Sequence, residues 1–197
     1  LLESLREDVQ AVLRNDPATR SAAEALLCHT ALHAIVLYRV AHWLRERWHL
    51  YLLARMVSAF ARFLTGVEIH PGARIGRRFF IDHGTGVVIG ETAEIGDDCV
   101  FFHNVTLGGT GKHAGKRHPS LGDGVLVGTG AVLLGPIRVG SRAKIGANSF
   151  VRMHDVPADA TVVGSPARLV KLEGQRVDKE LPATRLPEDA VPIDELS

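Results

Sequence analysis

The stretch Ile69-His70-Pro71-Gly72-Ala73-Arg74-Ile75-Gly76-Arg77-Arg78-Phe79-Phe80-Ile81 places an aliphatic residue at every sixth position, and the pattern runs on to Val151. The first series is Ile69, Ile75, Ile81 and Val87. After a slip of two residues a second takes Ile89, Ile95, Phe101 and Leu107, and after an insertion a third takes Leu121, Val127, Leu133, Val139, Ile145 and Val151. Gly or Asp often follows the anchor, as in Gly76, Asp82, Gly90, Gly96 and Gly122. Four residues after the anchor comes a mostly small residue: Ala73, Ala93, Cys99, Ala131, Ala143, Ser149. A period of six fits neither the helical nor the strand period. It is the repeat of a parallel β-helix, in which three hexapeptides close a triangular coil of about 18 residues. The anchors then point inward and stack on one another at the inter-strand spacing of about 4.8 Å. A sandwich with Gly-rich turns would show turn signals every 8–12 residues or so, which this stretch does not.

Before the repeat the sequence reads as helical. Leu2, Leu5, Val9 and Val12 recur at helical spacing up to Asn15-Asp16-Pro17, where Pro17 ends one helix and suits the start of another. Ser21-Ala22-Ala23-Glu24 has the form of a capping box. It predicts a helix to about Arg47 that buries Leu26, Leu32, Ile35 or Val36, Val40 and Trp43, with the Arg and His residues on its solvated face. A third helix is expected over about Leu50 to Leu64, closed by Gly66. After the repeat, the segment from Glu173 is rich in Pro and charge and poor in aromatics. The expected organisation is an α-helical part at 1–66, a β-helix at 67–172 with an inserted loop at 108–120, and an extended or disordered tail at 173–197.

Composition narrows the function. With 23 basic and 22 acidic residues the net charge is +1, which gives no reason to expect nucleic acid or an anionic membrane as a partner. Cys28 and Cys99 make no disulfide framework. The most apolar helix carries Arg55 and Arg62 and falls short of the 20 or so residues of a membrane span. A soluble, cytoplasmic protein is the expectation.

The residues that break the repeat carry the chemistry. His83 follows Asp82 directly after an anchor, and Glu68 precedes His83 by fifteen residues, nearly one coil, so the two side chains are able to meet across neighbouring coils. A histidine oriented by a carboxylate suits a general base near neutral pH. The insertion Gly108–Ser120 holds four glycines and the potentially cationic Lys112, His113, Lys116, Arg117 and His118. Loops of this length tend to be functional or disordered, and regular coils resume directly after this one, which favours function.

Four runs together resemble serine O-acetyltransferases over roughly residues 16–170: Ile69-His70-Pro71-Gly72-Ala73, Asp82-His83-Gly84-Thr85-Gly86 through Glu91-Thr92-Ala93, Thr106-Leu107-Gly108-Gly109-Thr110-Gly111-Lys112, and Arg117-His118-Pro119. The resemblance implies a left-handed β-helix and transfer of acetyl from acetyl-CoA to the hydroxyl of L-serine, on the route to cysteine. It implies His83 as general base, with Glu68, where the family has aspartate, orienting it. It implies Asp16 and Asp82 for the serine ammonium group, and Arg117 and His118 for the serine carboxylate, which an Arg fork receives well. Attack on the thioester is then direct, with a backbone N–H stabilising the oxyanion. Acetyl-CoA is expected in a cleft between neighbouring subunits, lined by Gly109, Thr110, Thr129 and Ala147, with Arg138, Arg142, Lys144, Arg168 or Lys171 near its phosphates. No metal is expected.

The same resemblance implies a homotrimer, since little of the helical domain that pairs two trimers into a hexamer in longer members is present. It also implies L-cysteine as a feedback inhibitor. The ending Asp194-Glu195-Leu196-Ser197 lacks the terminal isoleucine that some members insert into a cysteine synthase, which argues against that complex. Two other readings remain open on the residues alone. One is acetyl transfer to another hydroxyl, of homoserine or a sugar. The other is a carbonic anhydrase-like zinc lyase using His83, His113 and His118, two of them five residues apart.

Overall fold

The computed structural model of the chain describes residues 2–110 and 115–184. Four helices lead into it: α1 (Leu2–Asn15), α2 (Ala22–Cys28), α3 (Thr30–Trp48) and α4 (Tyr51–Thr65). A parallel β-helix follows. Its first coil is β1 (Glu68–Ile69), β2 (Arg74–Ile75) and β3 (Phe80–Ile81); its second is β4 (Val88–Ile89), β5 (Glu94–Ile95) and β6 (Val100–Phe101). The third coil is β7 (Thr106–Gly108), β8 (Ser120–Leu121) and β9 (Leu126–Val127), and the fourth is β10 (Val132–Leu134), β11 (Arg138–Val139) and β12 (Lys144–Ile145). A fifth begins with β13 (Phe150–Arg152) and ends in β14 (Ala160–Gly164). Each face is a parallel sheet: β1-β4-β7-β10-β13, β2-β5-β8-β11 and β3-β6-β9-β12-β14.

The anchors stack in register. Ile69 pairs with Ile89, Ile89 with Leu107, Leu107 with Leu133 and Leu133 with Val151, and all five are 4% exposed or less. Burial of each such side chain stabilises the coil by about 1.5–3 kcal/mol. The position two residues before each anchor is also buried. It is small where expected, but elsewhere holds Val67, Phe79, Val87, Val105, Val125 and Ile137. Val87 therefore fills a corner and is not an anchor; the anchor is Ile89. The step from Ile81 to Ile89 is longer than six residues, and the surplus is taken up at the corner after β3. The step from Leu107 to Leu121 is longer still, and its surplus lies in the insertion.

The helical part differs from expectation at a bend and on the polar face of α3. The single helix expected to Arg47 is two, α2 and α3, bent by 78° at His29. Ser21 Oγ caps α2 by accepting from Glu24 N–H at 3.1 Å, and His29 Nδ1 caps α3 by accepting from Leu32 N–H at 3.1 Å. The bend rotates the faces. Ala31, Leu32, Ala34, Ile35, Tyr38 and Ala41 are buried, whereas Leu26 and Trp43, expected inside, are 44% and 50% exposed.

The polar residues of α3 turn toward the β-helix rather than to solvent. Tyr38 Oη donates to Ala73 O, and His42 Nδ1 donates to Pro71 O. Arg39 forks onto the buried Asp8 of α1 at 2.6 and 2.8 Å and reaches Gly76 O. α4 packs its small face, Ala54, Ser58, Ala61 and Thr65, inward, and Gly66 closes it with φ 72°. Its outer face leaves Leu52, Met56, Phe60 and Phe63 exposed in the single chain. No single helix among the described residues is long and apolar enough to cross a membrane.

The segment from Glu173 stays with the fold as far as it is described. β15 (Ala167–Leu172) and β16 (Gln175–Lys179) extend the third sheet antiparallel. Leu181 is buried, and Asp155 N–H and Thr184 N–H bond across to Pro182 O and Met153 O. Residues 185–197, including the terminal run on which the cysteine synthase expectation rests, lie outside the described residues, as do Lys112 and His113.

Candidate active site

The sequence-predicted residues gather at two corners of the triangular coil. At the corner after β3, a cleft of about 410 Å³ is lined by Asp16 and Pro17 from the α1–α2 turn, Cys28, His29 and Thr30 from the α2–α3 bend, and Asp82 and His83. The turn holds Asp16 rigidly. Its Oδ1 accepts from Ala18 N–H and its Oδ2 from Thr19 Oγ1, at 2.8 and 2.6 Å. These bonds, Thr19's first, hold the Asp16 carboxyl below the usual range, so it is ionised at neutral pH. His83 takes φ 60°, which throws its side chain outward; it is 76% exposed and its Nε2 lies 3.9 Å from Asp82 Oδ2.

Glu68 does not complete the expected pair with His83. Its Oε2 is bound at 2.8 Å by Arg62 of the last turn of α4. α4 passes into β1 through only Gly66 and Val67, so its last-turn arginine lies alongside Glu68. Glu68 still lies beside Val88, five residues past His83, on the neighbouring strand.

At the other corner, between the first and second sheets, the insertion folds back onto the second coil. Thr92 is its hub: Thr92 Oγ1 accepts from Arg117 N–H and His118 N–H at 3.0 and 3.1 Å, and Thr92 O accepts from Lys116 Nζ at 2.6 Å. Thr92 N–H in turn donates to His118 Nδ1 at 3.2 Å, which places that ring's proton on Nε2. The His118 ring lies against Gly90, where any Cβ would strike it. Burial pushes His118 down to about 4. Arg117 Nη2 bonds Glu91 Oε2 at 2.6 Å, and that bond holds the Glu91 carboxyl below the usual range.

The four positions assigned to acetyl-CoA divide in the same way. Gly109 packs against Arg117 and His118, and Thr110 Oγ1 lies 3.7 Å from Met153 Sδ. Thr129 and Ala147 stand two residues past the anchors Val127 and Ile145, in the column of coils that begins at His83. Of the basic residues considered for the phosphates, Arg142 is forked onto Asp159 and Arg168 is paired with Asp178. His83 and His118 sit at different corners, and His113 is outside the described residues. Among the described residues no group of three or more His, Cys, Asp or Glu is able to hold a metal.

His29, Glu91 and Thr92 were not singled out from the sequence. In the sequence His29 belongs to an expected helix face, and only the bend that makes it a cap turns it into the cleft. Glu91 and Thr92 sat inside a matched run, but their partners lie 24–26 residues away across the insertion.

A model of the family described as bacterial transferase hexapeptide (six repeats) matches residues 118–152. The serine acetyltransferase of Bacillus subtilis is 55% identical over 93% of this chain and 84% of its own, and that of Synechococcus elongatus is 52% identical over 90% and 72%. Among solved structures, Vibrio cholerae serine acetyltransferase superposes with a TM-score of 0.84 at 44% identity, covering 90% of this chain. A soybean serine acetyltransferase complexed with serine gives 0.80 at 46% identity over 85%, and a serine acetyltransferase in complex with cysteine gives 0.83 at 44% over 86%. This chain spans 67–70% of the length of these three solved chains.

Proposed function

The chain belongs to the serine acetyltransferase family, and on that footing we propose the following division of labour for its reaction, the transfer of acetyl from acetyl-CoA to the hydroxyl of L-serine. The single observation that carries it is the cleft in which Asp16, Asp82 and His83 converge. Two carboxylates there suit an ammonium group, and the exposed imidazole beside them suits the removal of a proton from the neighbouring hydroxyl. Glu68 orients His83 once it leaves Arg62. An exposed pair of that kind is worth only about 0–1 kcal/mol, so the release costs little.

Arg117 and His118 receive the substrate carboxylate. Because they lie at another corner of the same chain, the complete site takes them from a neighbouring copy, and Gly109 and Thr110 of that copy face Thr129 and Ala147 of the first across the acetyl-CoA arm. A closed three-fold ring of copies, each presenting one corner to the next, repeats that junction three times. The exposed face of α4 is further apolar surface of the kind assemblies cover. L-cysteine, which differs from L-serine by one atom, competes for the same groups. The protein acts in the cytoplasm.

The test is thiol release from acetyl-CoA with L-serine, run beside homoserine and a sugar acceptor. L-serine is expected to be much the best acceptor, and L-cysteine is expected to raise the apparent KM for it. Equal rates with the sugar would overturn the substrate assignment.

A further inference from the structure

Each oxygen of the Glu91 carboxylate is held by a different arginine. Oε2 accepts from Arg117 Nη2 at 2.6 Å, and Oε1 accepts from Arg45 Nη2 at 3.3 Å. Arg45 stands in the last turn of α3, 46 positions before Glu91. A cation there suits the helix without any side-chain partner, because the last carbonyls already attract it. Arg45 nevertheless turns its side chain toward the second coil. Its guanidinium lies over the Tyr51 ring, 5.2 Å from the centroid. Its Nε is enclosed and makes no hydrogen bond among the described residues, although Glu46 Oε1 lies 3.4 Å away. Glu91 is thus the acceptor that aims it. Glu91 is pinned in turn from beneath, since a Cβ added at Gly72 would come within 3.1 Å of its Cγ.

An acid beside a residue that binds a carboxylate works against it unless something offsets the acid. Without Arg45, Glu91 would cancel the Arg117 charge. With both oxygens open it would also close on that guanidinium fork to fork, the geometry a substrate carboxylate needs. The rest of the corner supplies no correction. His70 and His118 are kept neutral at pH 7 by burial, and Lys116 is offset by Glu94 at 3.2 Å. Arg45 brings a second positive charge to Glu91 and occupies its Oε1, so that Glu91 meets Arg117 through one oxygen only.

We propose that Arg45 is a positioning residue that selects for the substrate carboxylate: by holding Glu91 at Oε1 it keeps Glu91 from closing over Arg117 and leaves the corner positive. This rests on the reading above, in which Arg117 and His118 receive that carboxylate. Arg45 acts through Glu91 and Arg117 and touches no reacting atom. It therefore sets how well an amino acid is told from an acceptor that lacks the carboxylate, and it leaves the chemical step alone. α3 thereby reaches the carboxylate-binding corner through one side chain, although no part of that helix lines the corner where the hydroxyl is activated except through its first residues.

The experiment measures kcat and KM for L-serine, and kcat/KM for L-serinamide, in which an amide replaces the carboxylate. It uses wild type, Arg45→Met, Arg45→Lys and Arg117→Ala. Met keeps an apolar stem over Tyr51 and removes the charge, and thermal melting checks that each variant folds. Arg45→Met is expected to raise the KM for L-serine about fivefold, the scale of a partly exposed ion pair, with kcat, the KM for acetyl-CoA and kcat/KM for L-serinamide within about twofold of wild type. Arg45→Lys, which restores the charge as a point cation, is expected to recover part of that loss. An unchanged KM for L-serine in Arg45→Met would overturn the proposal, as would an equal loss with L-serinamide or a folded Arg45→Lys no better than Met. Failure of the underlying reading looks different: Arg117→Ala would then tell L-serine from L-serinamide as well as wild type does.

Discussion

His83 occupies a backbone conformation, φ 60°, that few side chains other than Asn and Gly take without strain. That makes Asn the informative replacement, because it keeps the corner and removes the base. His83→Asn is expected to lower kcat by about 10²–10⁴-fold, with thermal melting unchanged. His118 and His70 make a different statement. Burial holds both down to about 4, against an unfolded value of about 6.5. Between those limits the unfolded chain binds protons that the folded chain refuses, so stability is lost as pH falls from about 6.5 to about 4. Melting temperature should drop across that window in the wild type and drop less in a His70→Asn/His118→Asn double variant, a comparison read by circular dichroism at several pH values.

At the scale of elements, the helical part meets the coils through an apolar face, with Ala31, Ala34, Ile35 and Tyr38 of α3 in one core with the anchors, and through polar contacts from Tyr38, Arg39 and His42 beside it. The most buried ion pair lies between the helices themselves, Arg39 of α3 on Asp8 of α1, whose side chains are 14% and 0% exposed. Removing one partner of such a pair leaves the other buried and uncompensated. Asp8→Ala is therefore expected to cost about 3–5 kcal/mol, seen as a lower urea midpoint, while Asp8→Leu/Arg39→Met together recover much of it. These contacts were illegible in the sequence because Arg39 looks like any charged residue on a helix face, and its partner is 31 positions away. The bend at Cys28-His29-Thr30 was hidden for a related reason: it contains no Pro or Gly, and a histidine supplies the cap. The coils were legible because their rule is local, each anchor six residues from the last. Where a surplus broke that rule, at Val87, the reading slipped. Asp16, Asp82, His83, Arg117 and His118 were legible as motif residues, but not the corner each would occupy, because that depends on how the insertion is counted.

For the molecule as a whole, the division of the site between two corners predicts complementation. Mixed assemblies of His83→Asn and Arg117→Ala chains contain junctions at which the intact His83 of one copy faces the intact Arg117 of another. Co-expressed in equal amounts, they are expected to regain about a quarter of wild-type turnover, although each is nearly inactive alone. Turnover no higher than that of the separate variants would show that the site is completed within one chain. The corner after β3 and the corner at 108–120 have a further consequence. A surplus that is looped out at a vertex leaves the phase of everything downstream untouched, so the walls beyond keep facing the directions they faced before. A surplus placed in a wall would rotate the rest of the spiral against its start. Chain length is thus free to vary only at the vertices, and His83 stands at one lengthened vertex while Arg117 and His118 stand at the other. New chemistry entered this scaffold where its geometry tolerates spare residues.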